Sequence, residues 1–264
     1  MTAHIKAEVL LKAENVNLSL CGKPILRDIN FSIKNIVRPG ILQGQVVTLI
    51  GRSGIGKTQL FRILSGLQQP TSGRITINHN ETVKAGDMGV IFQNYYLFEW
   101  RTIYTSMMLA AKQNKALQGI EKEAIDKYVT EFGLKEILFQ YPGQLSGGQK
   151  QRVSIIQQLL KGSDFLLLDE PFSGLDVCML DKVVDLLLQV SLSDEFKTLL
   201  IVSHDIPTAV SISDTVFILG QEPGIPGATF RKEIDLIERD LAWQKDVKKS
   251  RCFLDTIEEI KVCL

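Results

Sequence analysis

Residues 45–58 read QVVTLIGRSGIGKT, and this stretch decides the fold. Its first part, Gln45–Ile50, is a near-continuous apolar run of the kind that forms a strand buried on both faces of a sheet. Gly51–Thr58 then fits the pattern GxxxxGK(S/T) at every position, and a helical pattern over Gly56–Leu67 follows. A strand before this pattern and a helix after it form the context in which it binds phosphate. The sequence therefore predicts a phosphate-binding loop at the carboxyl end of a strand.

The chemistry of a phosphate ligand explains the residue types in this loop. Glycines let the backbone turn tightly and bring its N–H groups against phosphate oxygens, and the helix start adds the positive end of a dipole. Lys57 offers a point charge to the β- and γ-phosphates of a nucleotide, and the Thr58 hydroxyl can bind Mg²⁺. The candidate nucleotide-binding residues are Gly51, Arg52, Ser53, Gly54, Ile55, Gly56, Lys57, Thr58 and Gln59.

A second chemical feature is the apolar strand Phe165–Leu168 followed by Asp169 and Glu170. Ligands of open α/β sheets bind beyond the carboxyl ends of strands, so both carboxylates are expected beside the phosphate loop. Asp169 is then placed to hold Mg²⁺ through water, and Glu170 to orient or deprotonate the attacking water. A strand ending in Asp-Glu is by itself usually a solvated turn, and its position downstream of a phosphate loop favours the catalytic interpretation.

Strand and helix patterns alternate along much of the chain. Apolar runs predict strands over Met88–Phe92, Thr198–Ser203 and Val216–Leu219, and Met179–Val190 has helical spacing. Such alternation indicates an α/β fold with a parallel-sheet core.

Two regions break this alternation. Residues 9–35 and 73–79 have the turn signals of antiparallel strands, and residues 101–161 have helical patterns without a strand. We therefore predict an antiparallel β subdomain and an inserted helical subdomain at about residues 95–161 within a domain of residues 1–230. Residues 231–264 are predicted to form a C-terminal helical tail, whose apolar face carries Phe253, Ile257, Ile260 and Leu264.

Bulk composition excludes several classes of protein. Lys+Arg and Asp+Glu are both 30, so the formal net charge of zero gives no electrostatic reason to bind nucleic acid or anionic lipid. The four cysteines form no CxxC pair and no metal-ligand spacing with the three histidines, so free thiols are expected. No apolar stretch approaches the ~20 residues that span a bilayer, and the first residues lack a signal-peptide core. If the protein works at a membrane, another chain must supply the span.

Leu145–Gln149 reads LSGGQ and stands between the phosphate loop and the strand that ends in Asp-Glu. These motifs in this order resemble the ATP-binding cassette family, over roughly residues 9–220. The resemblance implies a P-loop NTPase with a RecA-like core that binds and hydrolyses ATP with Mg²⁺. It also implies a second cassette subunit, for which a homodimer suffices because every motif is intact. In such a dimer Ser146, Gly148 and Gln149 would act on the nucleotide bound by the opposite subunit.

Other positions match the family residue by residue. Gln93 matches the glutamine that contacts Mg²⁺ or water and links to the membrane partner, and Ser173–Asp176 matches the D-loop, which crosses the dimer interface. His204 matches the switch histidine that contacts the γ-phosphate, although a lone histidine at a strand end is usually only a polar residue. The chain also departs from the family: Leu20 stands where an aromatic residue stacks on adenine, and residues 34–43 lengthen the loop before the phosphate-loop strand.

Three local features favour an importer. The chain is a single cassette without a fused membrane domain, Tyr96–Thr102 resembles a segment of nitrate, sulfonate and taurine importers, and Leu219–Gly224 with Ile234–Leu236 resembles the end of the same group. This resemblance implies solute import across the cytoplasmic membrane by a peripheral subunit on its cytoplasmic face. Its partners would be a permease that docks near Gln93–Trp100 and a solute-binding protein. An exporter or lipid-transport cassette and a non-transport cassette acting on DNA or the ribosome stay open as alternatives, and no feature identifies the transported molecule.

Overall fold

The computed structural model describes residues 5–38, 43–77, 81–173, 177–192, 197–242, 244 and 247–264. The strands are β1 (Ile5–Leu20), β2 (Lys23–Val37), β3 (Gln45–Gly51), β4 (Ser72–Ile77), β5 (Glu81–Thr82), β6 (Gly89–Ile91), β7 (Phe165–Asp169), β8 (Thr198–Ser203), β9 (Thr215–Gln221) and β10 (Ala228–Asp235). The helices are α1 (Lys57–Leu64), α2 (Ile103–Ala111), α3 (Glu121–Glu131), α4 (Gly147–Lys161), α5 (Val177–Leu192), α6 (Ile206–Ile212) and α7 (Arg251–Cys263). These strands form one sheet in the order β5-β4-β1-β2-β10-β9-β3-β8-β7-β6.

The centre of the sheet is parallel, as the alternating pattern predicted. Neighbouring strands run parallel from β9 through β3, β8 and β7 to β6. Every residue of β3, β7 and β8 is buried. Successive side chains along these strands enter two different cores, because residues of a strand alternate between the faces of a sheet. Leu166 and Leu199 pack with the helices of the insertion, whereas Leu167 and Leu200 pack with α1 and the antiparallel strands.

Strands β1, β2 and β4 form the predicted antiparallel region. Strand β1 pairs antiparallel with β2 and β4, and β4 pairs antiparallel with β5. The turn between β1 and β2 consists of Cys21 and Gly22, which both have a positive φ, of 48° and 74°. A two-residue turn with two positive φ angles matches the right-handed twist of the strands that it connects. The expectation for residues 73–79 is confirmed as far as Ile77, and residues 78–80 lie outside the described part of the chain.

The helical insertion is also confirmed. Helices α2, α3 and α4 lie between β6 and β7 in sequence and share one core, in which Met107, Ile125, Val129, Val153 and Ile156 are fully buried. None of the helices that the structure describes is long and apolar enough to cross a membrane.

Two sequence-based expectations are wrong. Of the predicted long loop 34–43, residues 34–37 belong instead to β2, since Asn35 and Ile36 are buried and β2 pairs with β1 as far as Val37, and residues 39–42 lie outside the described part of the chain. Residues 231–235 belong to β10, which pairs antiparallel with β9, so a division at residue 230 would cut a strand.

The end of the chain packs on a third core. The predicted face of the tail is confirmed, with Phe253, Ile257 and Ile260 buried and Leu264 packed against the same cluster. This cluster also includes Ile50, which lies directly before the phosphate loop, and residues of α6. Helix α7 is therefore joined through apolar contacts to the strand and the helix that flank the functional site.

Candidate active site

The phosphate loop connects β3 to α1, as predicted. Gly54 and Gly56 have φ angles of 77° and 110°, in the left-handed region where a side chain would be strained. A Cβ atom at Gly51 would lie 2.9 Å from both Ile55 Cγ2 and the carbonyl oxygen of Leu219. The glycines of the motif are thus required by backbone conformation at two positions and by close packing at a third.

The Lys57 side chain folds back over this loop. Its ammonium group donates hydrogen bonds to the carbonyl oxygens of Gly51 (2.9 Å) and Arg52 (3.2 Å). It also lies 3.4 Å from Glu170 Oε1. Because Lys57 is only 8% exposed, this cation is held inside the loop and is directed at the space beside Glu170.

Glu170 bridges the phosphate loop and the end of β8. Its backbone N–H donates to the carbonyl oxygen of Val202 (2.8 Å), and its φ angle is 50°. Oε2 lies 2.8 Å from His204 Nδ1 and accepts a hydrogen bond from the His204 backbone N–H at 3.3 Å. Lys57, Glu170 and His204, which are distant in sequence, therefore form one chain of polar contacts.

A pocket of about 430 Å³ opens at this point. Gln93 enters it from the segment after β6, and its Nε2 donates to Ser173 Oγ at 3.3 Å. The structure thus brings most of the predicted site residues together. The described residues that line the pocket are Ser53, Gly54, Gly56, Lys57, Thr58, Gln59, Gln93, Glu170, Ser173 and His204.

Asp169 lies at the end of β7 and is 8% exposed. Its Oδ1 atom has no hydrogen-bond partner among the residues that the structure describes. Burial, and then the neighbouring charge of Glu170, raise the pKa of Asp169, while Lys57 opposes the shift. An unpartnered, buried carboxylate oxygen is a ligand of the kind that Mg²⁺ prefers, and Glu170 and Lys57, whose charges act on Asp169, both line the pocket.

Some predicted site residues lie elsewhere. Ser146, Gly148 and Gln149 stand at the start of α4, where Ser146 Oγ accepts from Gln149 N (3.3 Å) and Gln149 Oε1 accepts from Ser146 N (2.8 Å). Leu20 ends β1, is 40% exposed and is not among the described residues lining the pocket. Of the predicted D-loop, Ser173 lines the pocket, and residues 174–176 lie outside the described residues.

Two contacts near the site have no signal in the sequence. Gln151, which is 1% exposed, donates from Nε2 to the carbonyl oxygen of Pro171 at 3.2 Å and so ties α4 to the residue after Glu170. Lys261 of α7 lines a second pocket together with Glu170 and His204. Neither residue belongs to a motif, and their positions depend on how distant helices pack.

A parallel sheet with a phosphate loop, a carboxylate pair at a strand end and a polar pocket between them defines a nucleoside-triphosphate-hydrolysing P-loop protein. Residues 35–173 match the model of the family described as ABC transporter, ABC_tran. The chain belongs to this family, as an ATP-binding subunit with ATPase activity.

Relatives and a solved structure agree with this assignment. The chain is 31% identical over 242 residues to a taurine import ATP-binding protein, TauB, of Pelagibacter ubique, covering 89% of this chain and 85% of the relative. It is 31% identical over 244 residues to a nitrate import ATP-binding protein, NrtD, of a Synechocystis strain, covering 92% and 87%. A dimeric post-hydrolysis structure of the ATP-binding cassette MJ0796 bound to ADP and Pi shares the fold, with a TM-score of 0.68, 24% identity and coverage of 86% of this chain and 99% of that one.

Proposed function

We propose that this subunit hydrolyses ATP at the pocket beside the phosphate loop and thereby powers solute import through a separate permease. The observation that carries the hydrolytic part is the convergence of Lys57, Glu170, Gln93 and His204 on one pocket. The import direction is supported by the names of the taurine and nitrate relatives and by their coverage of nearly the whole chain.

The contacts of the pocket support a division of roles. Lys57 would exchange its contact with Glu170 for the β- and γ-phosphates of ATP, because a phosphate is the stronger partner for a buried ammonium group. Glu170, released on one side, would orient the attacking water and accept its proton. The water oxygen then bonds to the γ-phosphorus as the bond to the β–γ bridging oxygen breaks, releasing ADP and phosphate. His204 would stabilise the charge that develops on the γ-phosphoryl group.

The oxygen ligands of the pocket fit Mg²⁺. Asp169, Thr58 and Gln93 would hold the ion, directly or through water. A bound divalent cation would also neutralise the charge that burial and Glu170 make unfavourable on Asp169. It would supply charge stabilisation for the triphosphate.

The start of α4 supports a dimeric mechanism. Ser146 and Gly147 are exposed, and nothing lies within 4 Å of where a Cβ atom of Gly147 would be. Backbone N–H groups at a helix start bind phosphate. We infer that Ser146, Gly148 and Gln149 complete the pocket of a second cassette subunit, and a dimer is the described form of the related MJ0796 structure.

Exposed aromatic residues mark a surface for the permease. Tyr96, Phe98 and Trp100 are 74%, 42% and 74% exposed, and Phe139 and Tyr141 are 75% and 48% exposed. Backbone hydrogen bonds from residues 103 and 104 to residues 140 and 138 bring the two segments together. We call these five residues the aromatic surface. Large exposed aromatic groups are typical of protein interfaces.

Tyr95, in contrast, packs against the core of the insertion, where burial raises its pKa to about 12. Asn94 and Tyr95 separate Gln93 in the pocket from Tyr96 of the aromatic surface, and the φ angle of Tyr95 is 44°. The same short segment therefore reaches both the nucleotide pocket and the inferred permease surface, as coupling between hydrolysis and transport requires.

A pull-down tests the transport proposal. Tagged Glu170→Gln protein is incubated with native membranes and Mg-ATP, and the captured proteins are identified by mass spectrometry. A polytopic membrane protein captured with a solute-binding protein supports import on the cytoplasmic face. A membrane protein captured without a solute-binding protein favours an exporter or a lipid-transport system, and a DNA or ribosomal partner alone contradicts transport.

Two matched variants locate the docking surface. Trp100→Glu in the tagged chain should lose the membrane protein and keep the ATPase activity of the purified chain. Leu254→Glu, which places the same charge on a 54% exposed apolar residue of α7, should lose neither. Equal capture by both variants would show that the permease docks elsewhere.

A further inference from the structure

A second pocket adjoins the nucleotide pocket and is lined partly by the C-terminal helix. Its volume is about 380 Å³. It shares Glu170, Ser173 and His204 with the nucleotide pocket, so these three residues face both spaces. The other described residues that line it are Phe172, Ser203, Asp205, Ile206, Pro207 and Lys261.

The charges around this second pocket are complementary. Glu170 enters from the end of β7 and Asp205 from the turn between β8 and α6, so two carboxylates line one side. Lys261, from the last turn of α7, is the one lysine or arginine among the described lining residues. An ammonium group near two carboxylates favours their negative charge.

The helix that carries Lys261 is held firmly. Ile257 and Ile260 are buried in the core shared with α6. Glu259 accepts two hydrogen bonds from Arg239 (2.7 and 3.1 Å) and forms an ion pair with Lys232 (2.5 Å). These hydrogen bonds lower the pKa of Glu259 to about 2, so the clamp stays charged at neutral pH. The backbone of Lys261 therefore has a fixed position relative to the His204 turn.

The side chain of Lys261 remains free to change partners. Its ammonium group pairs with Glu258 Oε1 at 2.6 Å, but the two side chains are 54% and 68% exposed. Exposed ion pairs contribute little to stability, about 0–1 kcal/mol. Turning from Glu258 into the pocket is therefore possible at small cost.

We propose that Lys261 is a positioning residue for ATP hydrolysis, which holds the Glu170–His204 pair in its working orientation from the side opposite to Lys57. The inference rests on the roles assigned to Glu170 and His204 in the proposed function. When the phosphates of ATP bind Lys57, Glu170 loses its contact with the Lys57 ammonium group and keeps its contact with His204. The ammonium group of Lys261 then supplies positive charge on the other side and stops the pair from turning away from the γ-phosphate.

Steady-state ATP hydrolysis by the full chain tests this inference. Lys261→Ala should lower kcat by about 2- to 5-fold, the effect of losing one partly exposed charge interaction, with KM for ATP within about twofold. Lys261→Arg should keep at least about half of the activity, because it preserves the charge on a side chain of similar reach. Arg251→Ala removes a cation that is 94% exposed on the same helix and should change neither constant.

The possible results distinguish failure of the Lys261 role from failure of the proposed function. A Lys261→Ala chain with the wild-type kcat, or one no less active than Lys261→Arg, overturns the role of Lys261. Loss of activity in Lys261→Ala together with a lowered melting temperature and no rescue by arginine also overturns it, since that result indicates a structural role. Undiminished hydrolysis by Glu170→Gln instead contradicts the proposed function itself.

Discussion

Two helix starts in this chain carry residues suited to phosphate, and their surroundings differ. At the start of α1, Lys57 is buried and contacts Glu170, which in turn contacts His204. At the start of α4, the Ser146 and Gln149 side chains each accept a hydrogen bond from the backbone N–H of the other residue, and Gly147 faces open space. The first region is an assembled pocket, whereas Ser146 and Gly147 of the second are exposed.

The difference indicates which parts of the ATPase site a single chain can supply. The α1 region contains a cation, a carboxylate pair and a histidine, so it can hold and hydrolyse a triphosphate, but one side of its pocket is open. The α4 region provides N–H groups and a hydroxyl group that could close another pocket. Gln151 links the two regions within one chain, because its Nε2 donates to the carbonyl oxygen of Pro171, the residue after Glu170.

The largest effect is expected from Lys57→Ala. Removing the buried ammonium group should abolish detectable ATP binding and lower hydrolysis by about 10²–10³-fold, the range for loss of one preorganised electrostatic group. Binding is measured by titration calorimetry and turnover by phosphate release. Lys122→Ala, at an exposed position of α3, is the control. Retention of tight ATP binding by Lys57→Ala would contradict the assignment of the α1 region as the nucleotide site.

Ser146→Arg should have the next largest effect and tests the α4 region. A bulky side chain at the exposed helix start should leave ATP binding intact and lower hydrolysis by about 10²-fold, because small displacements of a positioning surface have effects of that size. If the surface serves a second copy, mixing this variant with Lys57→Ala should restore activity. Random pairing gives half mixed dimers with one intact site each, or about a quarter of the wild-type rate. A mixture that stays inactive although the two chains associate would show that the α4 region does not act across subunits.

Sequence reasoning located the α1 region because its chemistry is local. A tight glycine turn, a lysine and a hydroxyl group must be adjacent in sequence to surround a phosphate, so the motif itself specifies the structure. Asp169 and Glu170 were found for the same reason, since they end an apolar strand. The long-range contacts were not accessible: no periodicity places Lys57 3.4 Å from Glu170 or brings Lys261 into the neighbouring pocket. Those contacts depend on the packing of elements that are far apart in sequence.

In the fold, too, features with a local sequence pattern were predicted and features that depend on long-range pairing were not. Buried parallel strands and the helical insertion were predicted because each has a strong local pattern. Strand β10 was missed because residues 231–235 mix charged and apolar side chains, and their pairing with β9 is what makes them a strand. The carboxyl end of β2 was misjudged similarly as part of a loop, since Arg38 pairs with the buried Asp214 and so ties the end of β2 to a residue that no local pattern identifies.

Leu20→Tyr tests whether the adenine base lies against the end of β1. The described residues that line the pocket of the α1 region include no aromatic side chain. If the end of β1 lies against the base, a tyrosine should tighten ATP binding by about tenfold, within the range of about 1–3 kcal/mol for stacking of a base on an aromatic ring. Inorganic tripolyphosphate, which has no base, should bind both proteins equally. Equal tightening of both ligands, or of neither, would place the base away from Leu20.

The smallest effects concern stability, and they should have opposite signs in the two regions. Burial and Glu170 raise the pKa of Asp169 in the folded chain, so the folded state binds a proton more readily there than the unfolded state does. Stability is therefore lost as pH rises from the ordinary aspartate range, about 4, through the raised pKa. In metal- and nucleotide-free protein at pH 7, Asp169→Asn should raise the melting temperature. Ser146→Ala should lower it by about 2–4 °C, because loss of a helix cap costs about 1 kcal/mol. Calorimetry at pH 7 and near pH 4 measures both, and the gain from Asp169→Asn should shrink at the lower pH while the loss from Ser146→Ala persists. A gain that does not change with pH would show that the gain does not come from removing the charge of ionised Asp169. It would also show that the α1 region holds no unfavourable charge for a divalent cation to neutralise.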